Sequence, residues 1–337
     1  MRWLRPCVEG WSIYSPLGSV LQRQLRELRP DCVYALLGNY YMTRLVYTAC
    51  QQLDIPLFVH VTDDFVTSLY KDLPLAGRLQ KASDQWFRRA VQYASGLAAI
   101  SPIMADEFES RYGKPWSWFT TLIDADEYRP EPRSADGTVR FVFAGNLGLQ
   151  RWRTLRELAL ALRGLQMNHG LESRLAIYTS YDQLDQHRAA LDIRPVTQLE
   201  GWRSPDQLPA IFRDADVLVH VESFDPAVAD YTKLSFSTKL SQYMMAGRCV
   251  LAIGPESLAS MQIIGREGAG ALIHSASAAE MADPLAALIS SVSRREECGR
   301  KGRRWAEQWM NRPRASLRFQ QQIIAAIERH HRRSSIH

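Results

Sequence analysis

The chain has 337 residues, long for one domain and natural for two of roughly 150 each. With 46% hydrophobic and 23% charged residues it has the composition of a soluble globular protein. Neither a run of about 18 apolar residues nor a signal-peptide core at MRWLRPCVEGWS is present.

Five scattered cysteines (Cys7, Cys32, Cys50, Cys249, Cys298) form no CxxC, which argues for reduced thiols in the cytoplasm and against a zinc site. The net charge of +5 is uneven: from Arg294 onward there are twelve Arg or Lys against four Glu. A basic tail that also carries Trp305, Trp309, Phe319 and Ile323 fits an anionic membrane surface, on the inner face of the membrane for a cytoplasmic chain. A solvated helix face explains it as simply. Nucleic acid is disfavoured, because no RNA or DNA motif accompanies the charge.

Residues 19–28 carry apolar positions at helical spacing, and Pro30 ends that helix before the apolar run 32–37. A second helix is predicted over 42–53 and a strand over LFVHV, residues 57–61. A helix over 76–93 and a strand over 97–100 follow. Ser101 and Pro102 then cap a further helix that Gly113 closes. WSWFTTLI reads as the last strand of this half, and RPEPRSADGT, residues 129–138, as an interdomain linker.

The alternation restarts with a strand at 140–144, a helix over 151–167, a strand at 174–178, a helix over 181–191 and a strand at 196–199. Ser204-Pro205-Asp206-Gln207 is a capping box with proline in the first turn. Strands at 217–221, 249–253 and 271–273 follow, and the chain is helical from 277 on. Short apolar runs alternating with helices predict α/β architecture with two Rossmann-like domains. The divisions are expected at 1–133 and 134–310, with a basic C-terminal helix, 311–337, packing back on the first domain. Ligands of open α/β sheets sit beyond the carboxyl ends of the strands, and a crevice between the domains is the expected site.

The stretch SFSTKLSQYMMAGRCVLAIG, residues 235–254, is where the chemistry concentrates. Ser235, Ser237 and Thr238 stand where a helix begins, with Lys239 beside them. A helix N-terminus has unpaired N–H groups and partial positive charge, so this cluster fits a phosphate. A plain N-cap with a solvated lysine is the simpler alternative. The loop GNLGLQR supplies Gly145, Asn146, Gly148 and Arg151, Gly201-Trp202 offers a platform for a flat base, and Glu222 ends a strand.

FVFAGNLGLQR, LEGW, LVHVES and the 235–254 stretch, in that order and spacing, resemble the C-terminal domain of a GT-B glycosyltransferase, most closely family 4. RPDCVYALLGNYY, IPLFVHVTDD, YASGLAAISPIMADEFESRYG and LIDADEYRP resemble that family's N-terminal domain. The resemblance spans roughly residues 24–310 and implies a nucleotide-sugar donor in the second domain and a saccharide or lipid-linked acceptor in the first. It further implies transfer that retains anomeric configuration with no metal and no cofactor, in bacterial surface polysaccharide synthesis.

Carried over by position, Gly145, Arg151, Ser237, Thr238 and Lys239 meet the diphosphate, Gly201 and Trp202 lie near the base, and Gln242 meets the ribose hydroxyls. Glu222 binds sugar hydroxyls or caps its own loop.

The departures are specific. In the family's E-x7-E motif the first glutamate is Leu234 here and the second is Gln242. The family's catalytic histidine falls on Thr62, followed by Asp63 and Asp64. These carboxylates either orient the acceptor hydroxyl or donor sugar, or cap the next helix. His60, two residues earlier on the same strand face, is either a substitute base or an ordinary buried histidine. The pattern also starts one or two βα units late, so the acceptor half reads as small or truncated.

Two rivals stand beside the transferase. One is a GT-B scaffold that binds a nucleotide sugar or a partner transferase without turnover. The other is a metal-dependent GT-A enzyme, prompted by Asp124-Ala-Asp126; Asp214-Ala-Asp216 is a second such triplet.

Overall fold

Strands that are apolar on both faces can only be satisfied inside a sheet covered by helices on each side. The computed structural model describes residues 18–69, 76–129 and 137–334, and the chain divides into two such units. One comprises Met1–Phe119 with Ser316–His337, the other Thr120–Ala315. The opening MRWLRPCVEGWS and most of the predicted linker lie outside the described residues.

The first unit contains helix α1 (18–28), β1 (Val33–Leu37), α2 (Tyr40–Leu53), β2 (Leu57–Val61), α3 (Phe65–Ser68), α4 (Ala76–Tyr93), β3 (Gly96–Ala99), α5 (Pro102–Tyr112) and β4 (Ser117–Trp118). The four strands form a parallel sheet in the order β1-β2-β3-β4. The Ser101 hydroxyl accepts the Met104 N–H at 3.2 Å to start α5, and Gly113 ends it at φ 69°.

The second unit contains β5 (Val139–Ala144), α6 (Arg151–His169), β6 (Ser173–Tyr178), α7 (Tyr181–Leu191), β7 (Thr197–Leu199), α8 (Leu208–Arg213), β8 (Val217–Val221), α9 (Pro226–Thr232), α10 (Thr238–Met245), β9 (Cys249–Ile253), α11 (Ala259–Glu267), β10 (Gly270–Ile273), α12 (Ala278–Ser290) and α13 (Val292–Trp309). Its six strands run parallel in the order β10-β9-β8-β5-β6-β7. The order reverses where β5 meets β8, and that switch point is where a doubly wound sheet leaves a crevice at its carboxyl edge. Phe141, Leu155, Leu158, Leu162, Ile177, Val219 and Leu251 form the core beneath it.

The last helix, α14 (Arg312–Ser334), belongs to the first unit from Ser316 on. Its Phe319 packs edge-on against Tyr34, Phe58 and Phe119 at 5.3, 5.8 and 5.2 Å, and Ala326 is fully buried with Phe58 and Ala98.

Two expectations are corrected. WSWFTTLI is not one strand: pairing in the first sheet stops at Trp118. Ile123 instead bonds the α13–α14 junction, its N–H to Met310 O at 2.8 Å and its carbonyl to Arg312 N at 2.9 Å. For the same reason the division expected at 133/134 falls at 119/120. Residues 120–129 are held by the second unit, where Tyr128 is buried against Phe212 with rings 6.5 Å apart.

Candidate functional site

At the switch point the backbone leaves β5 through Gly145 and Asn146. The Gly145 N–H bonds Tyr178 O at 3.0 Å, and the Leu147 N–H bonds Gln183 Oε1 at 2.8 Å. The Asn146 side chain turns back to accept the Gly148 N–H, so a Cβ at Gly148 would lie 2.6 Å from the Asn146 oxygen. The glycine here serves the turn itself. Tyr243, fully buried on α10, reaches Ala144 with its hydroxyl and thereby joins this loop to the helix of Lys239.

A hollow of about 280 Å³ opens at these strand ends, lined by Gly145, Asn146, Tyr178, Thr179, Trp202 and Lys239 among others. The structure thus brings together four of the residues singled out in the sequence: Gly145, Asn146, Trp202 and Lys239. Trp202 is 56% exposed. Its loop is fixed by Arg203, which donates to the Glu200 and Trp202 carbonyls at 2.7 and 3.0 Å and pairs with Glu200 at 3.0 Å. Arg203 also lines the hollow, and the sequence reading missed it. Gly201 lies under the Tyr181 ring at φ 68°, where a Cβ would come within 2.5 Å of the ring, so it shapes the loop.

Lys239 is half-buried and makes no hydrogen bond or ion pair with another described residue; burial lowers its pKa. It sits in the first turn of α10, whose cap, Ser237, makes no side-chain capping bond. The plain N-cap alternative therefore does not hold for Ser237. Thr238 is exposed at the first helical position, and Ser235 is half-buried just ahead of it. An uncapped helix tip with an unpaired, desolvated ammonium is an arrangement that favours an anion.

Other candidates have protein partners. Arg151 grips Glu222 as a fork, with Nε to Oε2 at 3.1 Å and Nη2 to Oε2 at 2.9 Å, and the Glu222 side chain is only 7% exposed. The Thr154 hydroxyl donates to the Glu222 carbonyl at 2.8 Å. The two residues assigned separately to diphosphate and sugar hydroxyls are therefore bonded to each other. Buried His220 lies beside them, its Nε2 3.4 Å from Glu222 Oε1, and burial holds its pKa below the ordinary value. Gln242 is on α10, one helical turn beyond Thr238. A second hollow of about 450 Å³ is lined by Gln150, Arg153, Thr154, Ser223, Phe224 and Asp225 among others. Of these, Gln150 of GNLGLQR and Ser223 of LVHVES belong to motifs visible in the sequence.

In the first unit, β2 and the turn after it carry three candidates, and the structure separates them. His60 is buried with both ring nitrogens engaged, Nδ1 to Tyr34 Oη at 2.7 Å and Nε2 to Phe119 O at 3.1 Å. Burial lowers its pKa, partly offset by backbone hydrogen bonds. This corrects its reading as a substitute base: it is a satisfied core histidine. Asp64 is also buried. It caps α3, accepting the Thr67 hydroxyl at 2.7 Å, and pairs with Arg111 at 2.8 Å, so its carboxylate is structural and its catalytic reading is corrected too. Asp63 is exposed at the carboxyl end of β2, with Thr62 Oγ1 3.4 Å from its Oδ2.

Much of the basic tail is engaged in the fold. Arg295 caps α12 through the Leu288 and Ile289 carbonyls at 2.7 and 2.6 Å. Arg303 takes the Met245 carbonyl at the end of α10 at 2.6 Å and also that of Tyr128. Arg318 lies over the Trp118 and Phe119 rings. Among the described residues no helix is long and apolar enough to cross a membrane.

No protein-family model matches the chain, and no curated protein matches it in sequence. Solved structures do. HepE of Anabaena, solved in complex with UDP, superposes with a TM-score of 0.69 over 91% of this chain and 81% of its own, at 14% identity. Sucrose-phosphate synthase of Thermosynechococcus elongatus gives 0.66 over 90% and 76%, at 12% identity. A glycosyltransferase of Rickettsia africae gives 0.66 over 92% and 83%, at 9% identity. The fold is GT-B. The metal-dependent GT-A rival is thereby overturned, and the carboxylates that prompted it have other work in the GT-B chain. Asp124 caps the 3-10 turn Ala125–Tyr128, Asp126 pairs with Arg129 at 3.3 Å, and Asp216 accepts the Arg140 N–H at 2.8 Å.

Proposed function

We propose that this chain is a glycosyltransferase that moves a sugar from a nucleotide-sugar donor to a saccharide or lipid-linked acceptor. The observation that carries the reading is Lys239: a half-buried ammonium with no protein partner among the described residues, at an uncapped helix tip, lining a hollow at the carboxyl ends of β5 and β6. A nucleoside diphosphate complements that site. Its base lies flat on exposed Trp202, its phosphates approach the Gly145–Asn146 backbone, and Lys239 with the first N–H groups of α10 takes the charge.

The same groups serve the reaction. As the glycosidic bond to the diphosphate breaks, negative charge grows on the leaving phosphate, and a fixed cation with helix N–H groups stabilises that charge without reorganising. No metal and no further cofactor is required in this scheme. Asp63, exposed in the first unit, is the carboxylate suited to orient the acceptor hydroxyl. The product retains the donor's anomeric configuration, and UDP is the first nucleotide to test because HepE was solved with it. Synthesis of surface polysaccharide on the cytoplasmic side of the membrane suits a lipid-linked acceptor.

One set of observations favours the scaffold reading. Arg151 and Glu222 are bonded to each other and not held open for a ligand. The deciding experiment incubates the purified chain with a panel of UDP-, GDP- and ADP-sugars and measures binding by calorimetry and nucleotide release by a coupled assay. Binding with release, both lost in Lys239→Ala and release alone lost in Asp63→Ala, supports the transferase. Binding without release across the panel supports the scaffold, and no binding removes both.

A further inference from the structure

The first unit has a second cationic concavity, remote from Asp63 along the strands. Asp63 follows the carboxyl end of β2, whereas this hollow lies at the amino ends of β3 and β4. It measures about 310 Å³ and is lined by Ser95, Lys114, Ser117, Gln322, Arg329 and Arg333 among others. Among the described residues three cations line it and no carboxylate does.

Each cation is placed by the fold. Lys114 follows the glycine that ends α5, and its ammonium donates to the Val91, Gln92 and Ala94 carbonyls at 2.9, 3.1 and 2.7 Å. All three of its protons are used at the end of α4, so it contributes charge to the hollow from a fixed position. Arg329 donates from Nε to the Ser95 carbonyl at 2.8 Å, and its terminal nitrogens have no hydrogen bond to a described residue. Arg333 stands one helical turn on and makes neither a hydrogen bond nor an ion pair with a described residue.

The contrast along the C-terminal helices is informative. Lys301 pairs with Glu297 at 2.7 Å, Arg303 with Glu307 at 2.7 Å and Arg332 with Glu328 at 3.2 Å, each at four-residue spacing. Arg329 and Arg333 have that spacing too, but they are like charges, an arrangement that destabilises a helix. Burial, followed by Arg333 and Arg329, holds the Lys114 pKa down to about 8. Uncompensated positive charge in a concavity calls for an anion, and two planar guanidinium forks match the oxygens of a phosphate. We infer that the hollow formed by Lys114, Arg329 and Arg333 binds a phosphate-bearing group, separately from the site at Lys239.

The test uses the full chain carrying Lys239→Ala, so that the proposed donor site does not contribute and its failure is read separately. Inorganic phosphate and pyrophosphate are titrated by calorimetry at fixed ionic strength, with chloride as control. Saturable binding that Arg333→Glu weakens by about tenfold or more supports the site. Arg333 is exposed and makes no hydrogen bond or ion pair with a described residue, so this variant should melt no lower than its parent. Non-saturable uptake matched by chloride, or affinity unchanged in Arg333→Glu, overturns it. Where binding is saturable, sedimentation with phosphatidylglycerol or phosphatidylcholine vesicles identifies the source. Retention on the former, lost in Arg333→Glu, assigns a lipid headgroup; no retention assigns a soluble phosphate ester.

Discussion

The Tyr243 hydroxyl closes on both backbone polar groups of Ala144, accepting its N–H at 2.9 Å and donating to its C=O at 3.3 Å. Tyr243 lies one helical turn beyond Lys239, and Ala144 immediately precedes Gly145. One buried hydroxyl therefore fixes the distance between the strand end and the helix tip that line the same hollow. Burial raises the Tyr243 pKa, so the hydroxyl keeps its proton.

Tyr243→Phe leaves the Ala144 N–H without its partner inside the core, at a cost of about 1–3 kcal/mol. Urea unfolding should show a lower midpoint with an unchanged slope, since the exposed surface hardly differs. Affinity for a nucleoside diphosphate should fall as well, because the loop and the helix lose their mutual anchor. An unaltered midpoint would show that the hydroxyl contributes nothing.

Replacing Lys239 by methionine separates binding from stability. The ammonium is half-buried without a partner among the described residues, so an apolar side chain of similar length should raise the melting temperature. The same variant should lose about tenfold or more in UDP affinity, the worth of a charge-assisted contact to phosphate. Differential scanning fluorimetry with and without UDP measures both effects. A lower melting temperature together with full UDP affinity would place the ammonium in the fold and not in the site.

The fold was legible where one stretch of sequence contains its own punctuation. The apolar run 249–253 lies between Gly247 and Gly254 and is β9, and Ser101 and Gly113 bound α5 as read. The grouping of candidate residues was legible where a residue's position depends on its own loop, as for Gly145, Trp202 and Lys239, which line one hollow. It was illegible where a distant residue decides. Asp63 and Asp64 look equivalent in sequence until Arg111 takes the second at 2.8 Å. Arg151 and Glu222 lie 71 positions apart, and no local pattern announces their pairing. WSWFTTLI reads as an unbroken strand because its true partners, Met310 and Arg312, are nearly two hundred residues away.

The Arg151–Glu222 pair yields an asymmetric prediction. Arg151→Ala strands a carboxylate whose side chain is only 7% exposed, and breaking such a pair costs about 3 kcal/mol. Replacing both residues by leucine removes the buried charge together with its partner and should recover most of that loss. A double-mutant cycle on urea unfolding free energies measures the coupling. Additive losses would mean that the two side chains act independently.

Acid stability should be set in part by two buried histidines, one in each unit. Burial lowers the pKa of both His60 and His220 below the ordinary 6.5. His60 faces Tyr34 and the Phe119 carbonyl, and His220 faces Glu222 with Arg151 behind it. Well above pH 6.5 both are neutral in the folded and unfolded chain, and neither makes stability depend on pH. Below it the unfolded chain takes up protons that the folded chain refuses, so stability falls with pH until the folded pKa is reached. The slope is about 1.4 kcal/mol per pH unit for each histidine kept neutral. His220→Leu removes one of these protons, so its unfolding free energy should decline less steeply than that of the parent between pH 6.5 and 5. Parallel declines in the two proteins would show that His220 accepts its proton equally well in the folded chain.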